Sequence, residues 1–205
     1  LVAASPASAA TIAVLDSVSA GNAGALYDLS TDGDDFSGIS GTFSASVEPR
    51  FPNNSTGSFW NAPGDPAASR GYITGTNTAT WAFSGLPSNT LVEVFVNWNK
   101  NGQGNNATDA SYTVNGSAAV LKNHKLAVPA DLALTDPNGD AINFSSLGTY
   151  DSGGAGEIQI VLSAGSAFTN VDAAAISFVA VPEPSSLALL GLLGGLLIAQ
   201  RRRRG

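Results

Sequence analysis

Cysteine is absent from the sequence. Its absence excludes a disulfide framework, a thiolate nucleophile, Cys-ligated zinc and an iron–sulfur cluster. Histidine occurs once, as His124, and there is no Gly-x-Ser-x-Gly elbow, P-loop, dinucleotide fingerprint or haem motif. Basic residues are scarce outside the last positions. The chain has nine Lys/Arg and sixteen Asp/Glu; removing Arg201 to Arg204 and Glu183 leaves five against fifteen, a body near −10. Nucleic-acid binding needs a basic patch to meet phosphates and is disfavoured on that ground. An acidic, non-sticky surface suits a protein that works outside the cytoplasm. Helix signals are almost lacking, and Gly, Ser, Thr, Asn and Ala dominate.

The last 25 residues say most about where the protein works. Val181-Pro182-Glu183-Pro184-Ser185-Ser186 precedes an apolar run from Leu187 to Ala199, then Gln200 and Arg201-Arg202-Arg203-Arg204-Gly205. A Pro-containing hinge, a helix-capable apolar segment and a block of positive charge form the layout of a segment that enters a bilayer and stops. Leu187 to Ala199 contains only Leu, Ala, Gly and Ile, whereas a core helix would carry a polar face. As a helix the run covers roughly 20 Å, short of the ~30 Å hydrocarbon core. Snorkelling by Arg201, Arg202, Arg203 and Arg204 lengthens the effective span. Clustered Arg stays cytoplasmic, so the residues before Val181 are expected outside.

These residues closely resemble the PEP-CTERM sorting signal of bacterial exoproteins: Pro182-Glu183-Pro184, a Leu/Gly-rich helix and a terminal Arg cluster, in that order. The resemblance implies recognition by an exosortase, cleavage near Pro182-Glu183-Pro184, transient anchoring in the membrane, and delivery to the cell surface or an extracellular matrix. Such an address label stands apart from the fold. At the other end, Leu1 to Ala10 is small, apolar and uncharged, and Ala7-Ser8-Ala9 and Ser8-Ala9-Ala10 fit the small-x-small pattern of a signal-peptidase site. We read residues 1–10 as the remnant of a secretory signal; a flexible Ala/Ser terminus is the alternative. The expected organisation is thus 1–10 signal remnant, 11–180 body and 181–205 sorting and anchor segment. The body is long enough for one domain with its own core. Without disulfides, burial alone must hold it.

Short alternating runs separated by Gly, Asn, Pro and Ser fill the body, which predicts an all-β, antiparallel β-sandwich, jelly-roll-like, followed by a short C-terminal hydrophobic helix. Strands are expected over 11–16, 42–47, 78–83, 91–98, 110–114, 118–121, 125–128, 142–150, 157–162 and 171–179. The strongest is 91–98, with Val92, Val94, Val96 and Trp98 on one face and Leu91, Glu93, Phe95 and Asn97 on the other. Residues 17–41, 48–71, 99–109 and 131–141 read as loops.

Three segments in order, Ala79-Thr80-Trp81-Ala82-Phe83-Ser84-Gly85-Leu86-Pro87, Val92-Glu93-Val94-Phe95-Val96-Asn97-Trp98 and Asn105-Asn106-Ala107-Thr108-Asp109-Ala110-Ser111-Tyr112-Thr113-Val114, resemble the golvesin C-terminal and xanthan-lyase carbohydrate-binding-like domain. Phe144-Ser145-Ser146-Leu147-Gly148-Thr149-Tyr150 is similar to that domain's W-x-x-L-G-x-Y element. Val171-Asp172-Ala173-Ala174-Ala175-Ile176-Ser177-Phe178 is similar to its closing strand. Asn106 stands where the family has Arg, and 123–143 is a longer, more acidic insertion than the family's hairpin. The resemblance covers about residues 12–179 and implies a β-sandwich used as an accessory or adhesive module.

For catalysis, a nucleophile must meet a base and an orienting group. His124, between Lys122 and Lys125, is expected to be a solvated loop residue. A glycosidase needs two opposed carboxylates; Glu93 and Glu157 are the strand-borne candidates. For calcium, Asp136, Asn138 and Asp140 place oxygens at alternate positions of a Gly-containing turn. An EF-hand would require Gly and Glu where Ala141 and Leu147 stand, and Asp32, Asp34 and Asp35 form a similar knot; both read more readily as self-capping turns. No cofactor is expected beyond that calcium option. Sugar binding calls for an exposed aromatic platform. Trp81 and Trp98 fall on apolar strand faces and are expected in the core. Trp60 and Tyr72 lie in or beside a loop and are the candidate sugar contacts, with a satellite aromatic cluster as the alternative. The sequence thus points to an exported, non-catalytic module whose partners are an exosortase, the membrane through its C-terminus, and extracellular polysaccharide. The rival readings are a polysaccharide hydrolase or lyase and a purely structural matrix protein.

Overall fold

A computed structural model describes residues 10–17, 25–29, 38–46, 71–98, 106–135 and 141–179. These all fall in one compact unit, Ala9–Val179. The described residues are all-β and contain no helix. The expected hydrophobic helix after residue 186 lies outside them, as does nearly all of the signal remnant.

Thirteen strands occupy the described residues: β1 (Ala10–Asp16), β2 (Ala25–Asp28), β3 (Ser40–Ala45), β4 (Gly71–Ile73), β5 (Thr78–Ser84), β6 (Leu91–Val96), β7 (Ala110–Val114), β8 (Val120–Lys122), β9 (Leu132–Thr135), β10 (Ala141–Asp151), β11 (Ile158–Ser163), β12 (Thr169–Val171) and β13 (Ala174–Val179). They form a six-stranded sheet, β2-β1-β13-β6-β10-β9, a five-stranded sheet, β3-β5-β11-β7-β8, and a ribbon of β12 and β4. The strand pairs are antiparallel and the whole curls as a half-barrel.

Alternation explains which side of each sheet is buried. In β5, Ala79, Trp81 and Phe83 are buried while the residues between them are half-exposed. In β11, Ile158, Ile160 and Leu162 are buried. These meet Val92, Val94 and Val96 of β6 and Ala174, Ile176 and Phe178 of β13 in one core drawn from both sheets. Trp81 and Trp98 lie in that core, as their strand faces require. A second, smaller cluster lies on the other side of the six-stranded sheet, around Val14, Phe95, Ile142, Phe144 and Ala175. Phe95 therefore points away from the main core and is still buried.

Several details differ from the sequence reading. Residues 125–128 are not a strand; Asn123 Oδ1 accepts the Lys125 amide at 3.0 Å and the chain turns there. The expected loop 131–141 contains β9, because Leu132 and Leu134 pair with the overhanging start of β10 and pack on the second cluster. β2 lies inside the expected loop 17–41, held by Tyr27 and Leu26 opposite Val14 and Leu15. β4 and β12 are three-residue strands, too short for a periodicity to register.

The strands give the body two ends. One carries Ala10, Leu91, Val179 and the turns 85–90, 115–117 and 152–157. The other carries Ser17, Trp98 and the segments 106–109, 123–126 and 164–173. The second end is where polar side chains are buried in number.

Candidate functional site

Trp98 follows β6 on its core-facing side, and its indole lies against the His124 imidazole, with ring centroids 4.9 Å apart and planes 8° from parallel. Trp98 Nε1 donates to the Leu126 carbonyl at 3.0 Å. The His124 amide donates to the Ala107 carbonyl at 2.9 Å, and Asn106 Nδ2 donates to the His124 carbonyl at 3.1 Å. The Ala107 amide donates to the Phe168 carbonyl at 2.8 Å, beside an isolated parallel bridge between Asn106 and Phe168. One histidine thus stitches together three segments that are far apart in sequence.

Both imidazole nitrogens are used. The Asn170 amide donates to Nδ1 at 3.2 Å, and Nε2 is 3.1 Å from the Tyr112 hydroxyl. A nitrogen that accepts carries no proton, so the proton of the neutral ring sits on Nε2 and is donated to Tyr112. Burial pushes the imidazole pKa down to about 3, so the ring is uncharged across the neutral range. Burial, and then the charge of Asp172, push the Tyr112 hydroxyl well above its ordinary value and keep it neutral. His124 is fully buried. This corrects the expectation of a solvated loop residue. Its lysine neighbours misled: Lys125 is exposed, while Lys122 reaches inward, Nζ donating to Ser145 Oγ at 2.9 Å and to the Ser146 carbonyl at 2.7 Å.

On this frame sits an aromatic pair. Tyr72 is half-buried on β4, opposite Asn170 of β12. Its ring meets Phe168 edge-on, with centroids 4.7 Å apart and planes at 78°. Phe168 is 38 % exposed and Leu126 nearby in the stitched frame is 60 % exposed. Asp109 ties the neighbouring turn: its Oδ1 accepts from the Ser166 amide and hydroxyl, both at 3.0 Å, and those bonds hold its carboxyl below the ordinary value. Tyr72 is therefore on a short strand with a ring partner rather than a loop residue, and Phe168 is the site residue that sequence reasoning missed. Nothing local marks Phe168; only the pairing of β4 with β12 brings it to Tyr72.

The remaining candidates are not brought together. Glu93 is exposed on the outer side of β6, and Glu157 is exposed just before β11 in the other sheet. Trp60, the calcium candidates Asp136, Asn138 and Asp140, the knot Asp32, Asp34 and Asp35, the sorting residues Pro182, Glu183 and Pro184, and Arg201 to Arg204 lie outside the described residues. Among the described residues no group of three or more His, Cys, Asp or Glu is placed to hold a metal, and no helix is long and apolar enough to cross a membrane.

The decisive match lies at the C-terminus. Residues 180–204 match the family model of the PEP-CTERM protein-sorting motif. The motif indicates an exported protein, sorted by an exosortase and anchored transiently in the membrane at its C-terminus. No curated protein matches the chain.

Proposed function

We propose that the exported body is a non-catalytic β-sandwich that binds extracellular polysaccharide through the end carrying Tyr72 and Phe168. The observation that carries this reading is the partly exposed aromatic pair on a buried, hydrogen-bonded frame. Sugar rings bind to apolar ring faces flanked by polar groups, and a pre-ordered frame lowers the cost of ordering on binding. Trp60, the other sugar contact expected from the sequence, lies outside the described residues and is tested by mutation alone. The jelly-roll reading is supported by the strand order. Stretches β1-β13-β6-β10 and β5-β11-β7-β8 contain strands that alternate between sheets along the chain, as two interleaved Greek keys require. The golvesin-like resemblance implies a β-sandwich of the same general kind. The outward, separate placement of Glu93 and Glu157 and the burial of His124 support the non-catalytic reading.

The test is a glycan array and a polysaccharide retardation gel on residues 11–181. Retention by a neutral or acidic polysaccharide, weakened by Tyr72→Ala, Phe168→Ala and Trp60→Ala, supports the reading. Chain cleavage lost in Glu93→Gln or Glu157→Gln would replace it with the hydrolase or lyase.

The structural matrix role is favoured by a different feature. The outer side of the five-stranded sheet bears Ser40, Thr42 and Ser44 of β3, Thr78, Thr80 and Ser84 of β5, and Ser111 and Thr113 of β7, all solvent-facing and without a formal charge among them. An uncharged stretch of sheet on an acidic protein suits packing into a matrix. Failure of the glycan panel together with concentration-dependent self-association would favour this second reading.

A further inference from the structure

The last strand is neither an edge nor a loose end. β13 lies inside the six-stranded sheet, paired with β1 on one side and β6 on the other. Phe178 is buried, and Val179 is still paired with Ala10. Only Ala180 and Val181 separate this strand from Pro182. Three peptide steps reach at most about 10 Å. Peeling β13 to gain more reach would break two ladders and expose the core face of Ala174, Ile176 and Phe178.

A peptidase that acts beside Pro182-Glu183-Pro184 therefore works within about 10–20 Å of the folded body, according to the side of the motif on which it cuts. The surface it meets is the end from which the chain leaves. Val179 is 49 % exposed there and Leu91 is 67 % exposed. Leu91 precedes by two residues Glu93, which pairs with Ser177, so the two apolar side chains flank the exit point on adjoining strands. Glu93, Asp151 and Glu157 are exposed around them. The described basic residues, Lys122 and Lys125, lie toward the opposite end.

We propose that this end of the body, with Leu91 and Val179 at its centre and carboxylates around them, is a contact surface for the membrane-embedded sorting peptidase. The partner face it fits is apolar and bordered by neutral or basic groups. The inference uses the sorting that the motif indicates and is independent of whether Tyr72 meets a sugar.

The experiment follows processing of the full chain in cells that contain the exosortase, read as the ratio of unprocessed to processed protein on immunoblots. Gly154→Trp adds bulk at this end where a side chain meets nothing within 4 Å, and Leu91→Glu removes the apolar centre. Both are expected to slow processing several-fold. Ala127→Trp, an exposed change at the opposite end, leaves the ratio unchanged. Inserting six Gly/Ser residues between Ala180 and Val181 is expected to relieve the Gly154→Trp defect, because the longer tether lets the peptidase stand clear of the added bulk. Thermal melts confirm that each variant is folded. Normal processing of Gly154→Trp and Leu91→Glu overturns the proposal, as does a Gly154→Trp defect that the longer tether leaves in place. Sugar retention by Tyr72→Ala is scored separately, so the two readings fail independently.

Discussion

Asn170 and Tyr112 hold the two nitrogens of one imidazole: the Asn170 amide donates to His124 Nδ1, and His124 Nε2 meets the Tyr112 hydroxyl. No water is needed to satisfy the ring. Removing it leaves two buried groups without their partner and a void against Trp98. His124→Ala is expected to cost about 3–4 kcal/mol, combining lost packing with unmet polar groups. Urea unfolding followed by tryptophan fluorescence measures it; a cost under about 1 kcal/mol, the level of an ordinary surface change, would contradict the frame described above.

The same burial makes stability pH-dependent. The imidazole pKa falls from 6.5 in the unfolded chain to about 3 in the fold. Between those values the unfolded state binds more protons, so unfolding free energy rises with pH. The stabilisation is complete above pH 6.5 and is lost as pH falls toward 3. The total is about 4–5 kcal/mol at 1.36 kcal/mol per unit. From pH 6.5 to 5, above the ordinary carboxylate range, the loss is expected to be about 2 kcal/mol. His124→Gln should flatten that slope. An identical slope in the variant would assign the titration elsewhere.

Gly156 and Gly116 both adopt positive φ, +65° and +72°, but their surroundings differ. A Cβ on Gly156 would run into the Leu86 carbonyl, whereas one on Gly116 meets nothing within 4 Å. Gly116→Ala is expected to cost about 1 kcal/mol from the backbone alone. Gly156→Ala must also displace the turn 85–90 and should cost at least about 2 kcal/mol more. Equal costs in thermal denaturation would show that the two turns are not packed as described.

The uncharged outer side of the five-stranded sheet separates stability from assembly. Thr80→Glu and Thr113→Lys are solvent-facing changes and should alter stability by no more than about 0.5 kcal/mol. If that side packs into a matrix, both variants should fail to sediment with matrix material while remaining folded. Normal incorporation would leave the aromatic end as the surface that matters.

At the C-terminus, Glu183→Ala or removal of Arg201 to Arg204 is expected to leave the protein unsorted, seen by fractionating cells and medium. Unchanged surface delivery would count against sorting by this segment.

The main strands were legible because alternation is local. Trp81, Val94 and Ile160 each announce a buried side through their own neighbours, and the strands around them fell within a residue or two of expectation. β4, β9 and β12 are not legible in the sequence, because three or four residues carry no periodicity, and the partners of β4 and β12 lie far apart in the chain. The site divided in the same way. Tyr72 could be singled out as an aromatic in polar surroundings, but Phe168 became its partner only through a ribbon formed across almost 100 residues. His124 was misread for a related reason: its flanking lysines are a local signal of solvent, and the indole, amide and hydroxyl that enclose it come from three other places in the chain.

The position of β13 also governs when the body can form. The first strand and the sixth both wait for residues 174–179, so the middle of the larger sheet stays vacant until those residues have been made. Contacts of such long range are slow to close. A polypeptide that lacks its central strand cannot complete its core while still emerging from the ribosome. Until residues 174–179 join, β1 and β6 share no ladder, so the two halves of the larger sheet are held together by this one strand.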